Sequence, residues 1–90
     1  MALETAFPNP FTHRTTLNFT LGQSGPVSIR LYDTEGRLVR ELVRAWLPAG
    51  RHSALWDGLA VTGRPALSGM YFAALETPQG RSVRKLILAR

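Results

Sequence analysis

Apolar and polar residues alternate along most of the chain with a period of two, instead of the period of about 3.6 that a helix requires. In residues 15–21, Leu17, Phe19 and Leu21 share one side, while threonines and an asparagine occupy the other. Such alternation is typical of a half-buried strand in an antiparallel sheet. The same pattern predicts strands over residues 27–32, 50–57, 69–77 and 81–89.

Residues 37–46 allow two interpretations. Helical spacing is shown by five apolar residues, namely Leu38, Val39, Leu42, Val43 and Trp46. A hairpin turn at residues 33–36 precedes the segment, however, and Pro48-Ala49-Gly50 interrupts the chain after it. Because both neighbours are turns in a chain otherwise spaced for strands, we interpret 37–46 as a bent or bulged strand.

The whole pattern predicts an all-β fold. With a further short strand near residues 6–11, about seven strands follow one another, separated by turn residues. This count favours an Ig-like or fibronectin-III-like antiparallel β-sandwich. At 90 residues, we expect positions 1–90 to form a single module. Apolar residues of both parities in 81–89 predict a last strand that is buried on much of both faces.

Composition and charge exclude several classes of protein. The chain has no cysteine, so it has neither a disulfide nor a cysteine–zinc site. No apolar run approaches the ~18 residues of a membrane span. The net charge of +5 comes from 11 basic residues, of which Lys85 is the only lysine, against 6 acidic ones. Because the basic residues are scattered, we expect exposed surface charge and no nucleic-acid interface.

Candidate chemistry is sparse. Neither His13 nor His52 has a second metal ligand at a useful offset, so we expect no metal. The glycines are spaced as turns, which excludes a phosphate-binding loop, and no nucleophile elbow is present. The sequence therefore predicts a protein that is not an enzyme and holds no cofactor.

The two tryptophans suggest different roles. Trp56 falls on the inner side of its predicted strand and is expected to anchor the core. Asp57 and Gly58 follow it as turn residues, with Asp57 accepting loop N–H groups and Gly58 taking a positive φ. Trp46 is the better candidate for exposure, and with Tyr32 or Phe72 as companions it would suit a polysaccharide. A carbohydrate-binding module is therefore an open alternative.

A series of short motifs runs through the chain in order and at ordinary spacing. Its members are Asn9-Pro10-Phe11 with Thr15-Thr16, Val27–Asp33, Gly36–Val39, Leu47–His52, Trp56-Asp57-Gly58, Gly63-Arg64-Pro65, Ser68-Gly69-Met70-Tyr71-Phe72 and Lys85–Leu88. In this combination the chain resembles the type A C-terminal sorting domains of the type IX secretion system. It also resembles the Ig-like domain of flagellar hook-capping proteins.

The resemblance implies a β-sandwich without catalytic residues, whose partner is a protein of the secretion or cell-surface machinery. It further implies that the module is the C-terminal domain of a larger secreted or surface-attached bacterial protein. The sequence ends directly on its last strand, which favours sorting, and we expect recognition at Arg84, Lys85 and Arg90. The alternatives are a carbohydrate-binding or spacer module of a secreted hydrolase and a scaffolding domain of the hook-capping type.

One loop departs from the pattern of these families. After Trp56-Asp57-Gly58 the related domains often carry acidic residues, whereas this chain has Leu59-Ala60-Val61. We therefore expect no cation site in this loop and instead an apolar contact patch.

Overall fold

Seven strands build the fold of the computed structural model, which describes residues 2–90. They are β1 (Ala2–Phe7), β2 (Thr15–Leu21), β3 (Gly25–Tyr32), β4 (Leu38–Leu47), β5 (Gly50–Trp56), β6 (Gly69–Thr77) and β7 (Gly80–Leu88). Every pairing between these strands is antiparallel. The predicted all-β class is therefore confirmed. Within this range there is no helix long and apolar enough to cross a membrane.

The strands form two sheets that pack as a sandwich. One has three strands in the order β1-β2-β5, and the other has four in the order β4-β3-β6-β7. The fourth strand therefore lies beside the third, whereas in a constant immunoglobulin domain it joins the sheet of the first two. This order agrees with the predicted Ig-like or fibronectin-III-like sandwich.

The core lies between the sheets and is centred on Trp56, which is 0% exposed, as predicted. Its indole ring packs against two other aromatic rings, that of Phe11 at 5.3 Å and that of Tyr71 at 5.2 Å between centroids. Alternate residues of both sheets fill the remaining space, including Leu17, Phe19, Ile29, Leu31, Leu75 and Leu86. The two-residue period of the sequence therefore corresponds to one buried face per sheet.

Strand β4 is bulged, which confirms the interpretation of residues 37–46. Its register against β3 slips twice, so that Leu42 and Val39 are extra residues opposite a continuous partner. Each bulge shifts the following residues by one position and so reverses which parity faces the core. Two reversals within one strand bring Val39, Leu42 and Val43 against the core, and they also explain the apparent helical spacing.

The first strand lies earlier than predicted. The expected strand near 6–11 is wrong in its bounds, because β1 spans Ala2–Phe7 and only Phe11 pairs again, in parallel with Leu88. A bulge at Glu4 disturbs the alternation of β1, which concealed it in the sequence. The chain thus leaves the three-stranded sheet after Phe7 and joins the edge of the four-stranded sheet at Phe11.

The last strand is an edge strand, and its predicted burial on both faces is wrong. Leu86 and Leu88 are buried against the core, but Val83 on the opposite face is 48% exposed. Because β7 ends its sheet and no further layer covers that face in residues 2–90, one apolar parity remains at the surface.

Candidate interaction site on the C-terminal strand

Strand β7 carries two of the predicted recognition residues, Arg84 and Lys85, and Arg90 follows its end. Residues 3–12 of the chain line the outer edge of β7. An exposed strand edge offers unpaired N–H and C=O groups to any other chain. Four residues from the start of the chain make hydrogen bonds along this edge, namely Leu3, Asn9, Phe11 and Thr12. The first and last parts of the domain are therefore held together along one edge.

Asn9 covers the middle of this edge with its side chain. The Ile87 N–H donates to Asn9 Oδ1 at 2.9 Å, and Asn9 Nδ2 donates to the Lys85 carbonyl at 3.1 Å. A carboxamide carries one acceptor and one donor group, the same pair that a backbone residue of a neighbouring strand would offer. The asparagine of the Asn9-Pro10-Phe11 motif thus acts as a one-residue substitute for a strand.

Phe11 continues this cover with backbone hydrogen bonds. Its N–H donates to the Ile87 carbonyl at 2.9 Å, and its carbonyl accepts from the Ala89 N–H at 2.8 Å. The side chain is only 2% exposed and lies against Trp56. Pro10, between the two, has no N–H and so leaves no donor unpaired. The motif therefore closes an edge and fills the core at once.

Arg84 connects β7 to the edge strand of the other sheet. Its Nε donates to the Leu3 carbonyl at 2.9 Å, and the Leu3 N–H donates to Ser82 Oγ at 3.1 Å. Both side chains have the inward parity of β7, the parity of Leu86. Arg84 therefore has a structural contact that spans the open side of the sandwich.

Arg90 contacts the loop between β5 and β6. Its Nη2 donates to the Gly58 carbonyl at 3.0 Å, and its backbone N–H donates to Ser68 Oγ at 3.1 Å. Gly58 has φ +78°, and a Cβ built on it would lie 2.8 Å from Arg90 Nη2 and 3.1 Å from the His13 carbonyl oxygen. The positive φ and the close approach of the His13 backbone therefore favour glycine at this position.

Lys85 has the opposite parity and points away from the core. It lies directly across from Phe72 on the outer face of the four-stranded sheet. Among residues 2–90, no hydrogen bond or ion pair involves its ammonium group. The three predicted recognition residues thus occupy three different environments and do not form one cluster.

The other motif residues hold loops in place. Asp57 Oδ1 accepts from the Leu59 N–H at 3.1 Å and pairs with Arg40 of β4, while Trp56 Nε1 donates to the Leu59 carbonyl at 2.9 Å. Gly69 begins β6, and the Tyr71 hydroxyl donates to the Leu67 carbonyl. Burial raises the pKa of Tyr71, which therefore remains a neutral donor.

The turn between β3 and β4 is organised by Asp33. Its Oδ1 accepts from the N–H groups of Arg37 at 3.0 Å and Glu35 at 2.9 Å. These hydrogen bonds hold the pKa of Asp33 below its ordinary value, and the one from the Arg37 backbone N–H contributes most. Gly36 takes φ +80° and donates its N–H to the Asp33 carbonyl at 3.1 Å, as the turn prediction requires.

The aromatic residues that suggested polysaccharide binding are separated. Trp46 is 66% exposed and lies opposite Pro26, whereas Tyr32 and Phe72 lie opposite one another near the far end of β3. Pro26 and Tyr32 are about 20 Å apart along the strand at about 3.3 Å per residue. Trp46 therefore shares no platform with the two companions that the sequence suggested.

The loop Leu59-Ala60-Val61 is fixed at its ends and exposed at its tip. The Val61 N–H donates to the Val39 carbonyl at 2.8 Å, while the Val61 side chain is 72% exposed. In the described part of the chain, no three His, Asp or Glu residues come together as metal ligands.

His52 Nε2 lies 2.7 Å from the Pro48 carbonyl oxygen, and its ring stacks on Phe19.

Residues 5–52 match the family described as the secretion system C-terminal sorting domain, and the match covers more than half of the 90-residue chain. This chain belongs to that family. It is a sorting module, as the resemblance in its sequence implied, and the family agrees with a non-catalytic role. A protein that carries this sorting domain is secreted or held at the cell surface.

Solved structures share the fold of the sorting domain. Dimeric latent PorU from Porphyromonas gingivalis matches 94% of the chain at 23% identity with a TM-score of 0.71. PorZ, a surface component of the type IX secretion system of the same organism, matches 96% of the chain at 22% identity with a TM-score of 0.64. FlgD from P. aeruginosa matches 82% of the chain at 22% identity with a TM-score of 0.61.

These likenesses concern one module of larger proteins. The sorting domain spans 9% of the PorU chain, 11% of the PorZ chain and 59% of the FlgD chain. A comparison with curated protein sequences gives no significant match. The solved structures therefore support the sandwich fold of the sorting domain, and the sequence family supports its role.

Proposed function

We propose that this domain directs the protein that precedes it through the type IX secretion system and contributes to its attachment at the cell surface. The observation that carries the proposal is the family match over residues 5–52. The fold shared with PorZ, a surface component of that system, supports the choice of export route. In this role residues 1–90 form one module at the C-terminal end of a larger secreted protein, and its partner is a protein of the export machinery.

Recognition is proposed to involve three basic residues in and just after the last strand, namely Arg84, Lys85 and Arg90. Arg84 and Arg90 also donate to the Leu3 and Gly58 carbonyls, so their removal weakens the sandwich as well as any contact with a receptor. Lys85 is exposed and makes no such contact in the described residues. Lys85 is therefore the residue at which recognition and folding are separable.

The test is a reporter fused in front of the domain in a host with a working type IX system. We expect the wild-type fusion to reach the surface and Lys85→Gln to lower that fraction while the melting temperature holds. Arg51→Gln is the matched control, because Arg51 is an exposed basic residue of β5 in the other sheet.

Three outcomes of this test are decisive. Retention of the wild-type fusion inside the cell would overturn the sorting proposal. Normal display of folded Lys85→Gln would remove Lys85 from the recognition site. Equal losses in Lys85→Gln and Arg51→Gln would show an effect of net charge and not of this strand.

A further inference from the structure

The outer faces of the two sheets differ in composition. On the three-stranded sheet the outer side of β2 consists of Thr16, Asn18 and Thr20, and the last two bond to side chains of β1. Asn18 donates to the Thr5 hydroxyl at 3.1 Å, and Thr20 donates to Glu4 at 2.7 Å. The middle of this face is polar, as is usual for the outer face of an antiparallel sheet, and its apolar residues, Phe7 and Leu55, lie at one end on either side of Thr16.

The outer face of the four-stranded sheet is apolar over half of its length. In register, Leu38 lies opposite Tyr32, Tyr32 opposite Phe72, Met70 opposite Ile87, and Ala74 opposite Val83. Leu38, Met70 and Val83 are 51%, 40% and 48% exposed. Neighbouring apolar residues across four strands form a contiguous patch, and such patches mark interaction sites on soluble domains.

The charges on this face are divided in the same way. Arg81 and Glu76, which approach to 4.0 Å, lie beyond Ala74 on the side away from the patch, and Arg30 and Glu41, which pair at 2.8 Å, lie in the row of Ala74 and Val83 at the border of the patch. Lys85 lies within the patch, directly across from Phe72, and no acidic side chain of residues 2–90 pairs with it. The patch therefore contains an unpaired positive charge, which a carboxylate of a partner protein would complement.

We infer that this patch, formed by Tyr32, Leu38, Met70, Phe72, Val83 and Ile87 around Lys85, is the docking surface for a protein of the export machinery. The inference rests on the proposed function and names the surface that the machinery reads. The partner presents a flat apolar area with an acidic side chain opposite Lys85. Because the same strand supplies Leu86 and Leu88 to the core, a receptor bound here reads only a folded domain.

Charge disfavours a second copy of the chain as the occupant. A symmetric dimer through this patch would pair the patch with itself and bring two Lys85 side chains together. Each copy carries a net charge of +5, so the approach is also repulsive over longer distances. An acidic partner meets neither obstacle.

The experiment compares matched changes on the two outer faces. Val83→Thr with Met70→Gln removes apolar surface from the patch at exposed positions, where substitutions have small effects on stability. Leu55→Thr with Phe7→Gln makes matched changes on the three-stranded sheet, where Leu55 and Phe7 are 54% and 76% exposed. The readouts are surface display of the fused reporter, the melting temperature and the sedimentation of the purified domain.

We expect the patch variant to lower surface display by about tenfold, since two lost contacts at a docking surface amount to about 1.4 kcal/mol or more. Its melting temperature and the display of the control variant should stay near wild type. Lys85→Glu should lower display further than Lys85→Gln, because it places a carboxylate against a carboxylate.

Each alternative result has one meaning. Display of the patch variant at the wild-type level would overturn the inference and leave the sorting proposal standing. Retention of the wild-type fusion inside the cell would overturn the sorting proposal, and the proposal of a receptor for this patch would fall with it. Equal losses on both faces would overturn the assignment to this patch, and a wild-type dimer that the patch variant abolishes would replace the receptor by a second copy.

Discussion

The two tryptophans have opposite environments although both lie in strands. Trp56 is 0% exposed between the rings of Phe11 and Tyr71, and its indole N–H has a carbonyl partner. Trp46 is 66% exposed on the outer face. Strand parity alone separates them, since Trp56 shares its side with Ala54, which packs on the core.

This contrast gives a stability prediction. Trp56→Ala leaves a large cavity and should lower the free energy of unfolding by about 3–5 kcal/mol, comparable to the whole stability of a small domain. Trp46→Ala should change it by less than about 0.5 kcal/mol. Urea denaturation followed by circular dichroism measures both, and similar losses in the two variants would contradict the core assignment.

Asp33 gives a prediction on pH. Its pKa is lowered in the folded state, so its carboxylate stabilises the fold at neutral pH, and this contribution is lost as pH falls through the lowered value. Asp33→Ala should therefore melt below wild type at pH 7, with a difference that shrinks in acid. Asp33→Asn keeps an acceptor oxygen without the charge, so its melting temperature should vary less with pH than that of wild type. A constant difference between Asp33→Ala and wild type at every pH would contradict the role of the charge.

A comparison of Gly58 with Gly63 distinguishes the cost of backbone strain from the cost of steric contact. Both have positive φ, +78° and +84°, but a Cβ on Gly63 would meet nothing within 4 Å. Gly63→Ala should thus cost about 1 kcal/mol from the backbone alone. Gly58→Ala should cost more, because its Cβ would lie 3.1 Å from the His13 carbonyl oxygen and would move the Arg90 guanidinium away from the Gly58 carbonyl. Equal losses in thermal unfolding would show that the close approach to Arg90 has no energetic weight.

Among whole elements, the predicted strands survive wherever alternation is uninterrupted. The bounds of 15–21 and 69–77 are those of β2 and β6, because each has one core side and one outer side. Bulges disturb the pattern in two strands, β1 and β4. A single bulge at Glu4 hides β1, and two in β4 imitate a helix, since a residue without a partner changes parity in a way that no local pattern reveals.

The site was less predictable than the strands. Which of the three basic residues Arg84, Lys85 and Arg90 also hold the fold together depends on contacts with Leu3 and Gly58, which are far away in sequence. The same holds for Asn9, whose partners Lys85 and Ile87 lie more than seventy positions along the chain. The motif was visible in the sequence, but its role in covering an edge follows only from the pairing of the two ends.

Asn9 tests this cover directly. Asn9→Ala removes both hydrogen bonds to β7 and should speed hydrogen exchange at the Ile87 amide and promote self-association through the open edge. Asn18→Ala is the matched control, since Asn18 is an exposed asparagine bonded only to a side chain of β1. Unchanged protection of Ile87 in Asn9→Ala would contradict the role of Asn9 as a strand substitute.

At the scale of the whole molecule, the ends of the chain depend on each other. Residues 3–12 cover β7, β7 supplies Leu86 and Leu88 to the core, and Phe11 completes the packing around Trp56. The family match ends at residue 52, yet β6 and β7 lie beyond it and complete the four-stranded sheet. The unit that folds is thus larger than the segment that identifies the family.

Truncation tests this dependence. Deleting residues 1–11 removes β1, uncovers β7 and takes Phe11 from the core, so we expect loss of cooperative unfolding, as for deletion of residues 81–90. Phe11→Ala in the full chain separates packing from edge cover. It keeps the backbone pairs with Ile87 and Ala89 and should lower stability by about 3–5 kcal/mol while leaving the edge closed. Circular dichroism and limited proteolysis distinguish these states. A cooperative melt in the variant that starts at residue 12 would show that the first strand is dispensable, and the folding unit would then begin at β2.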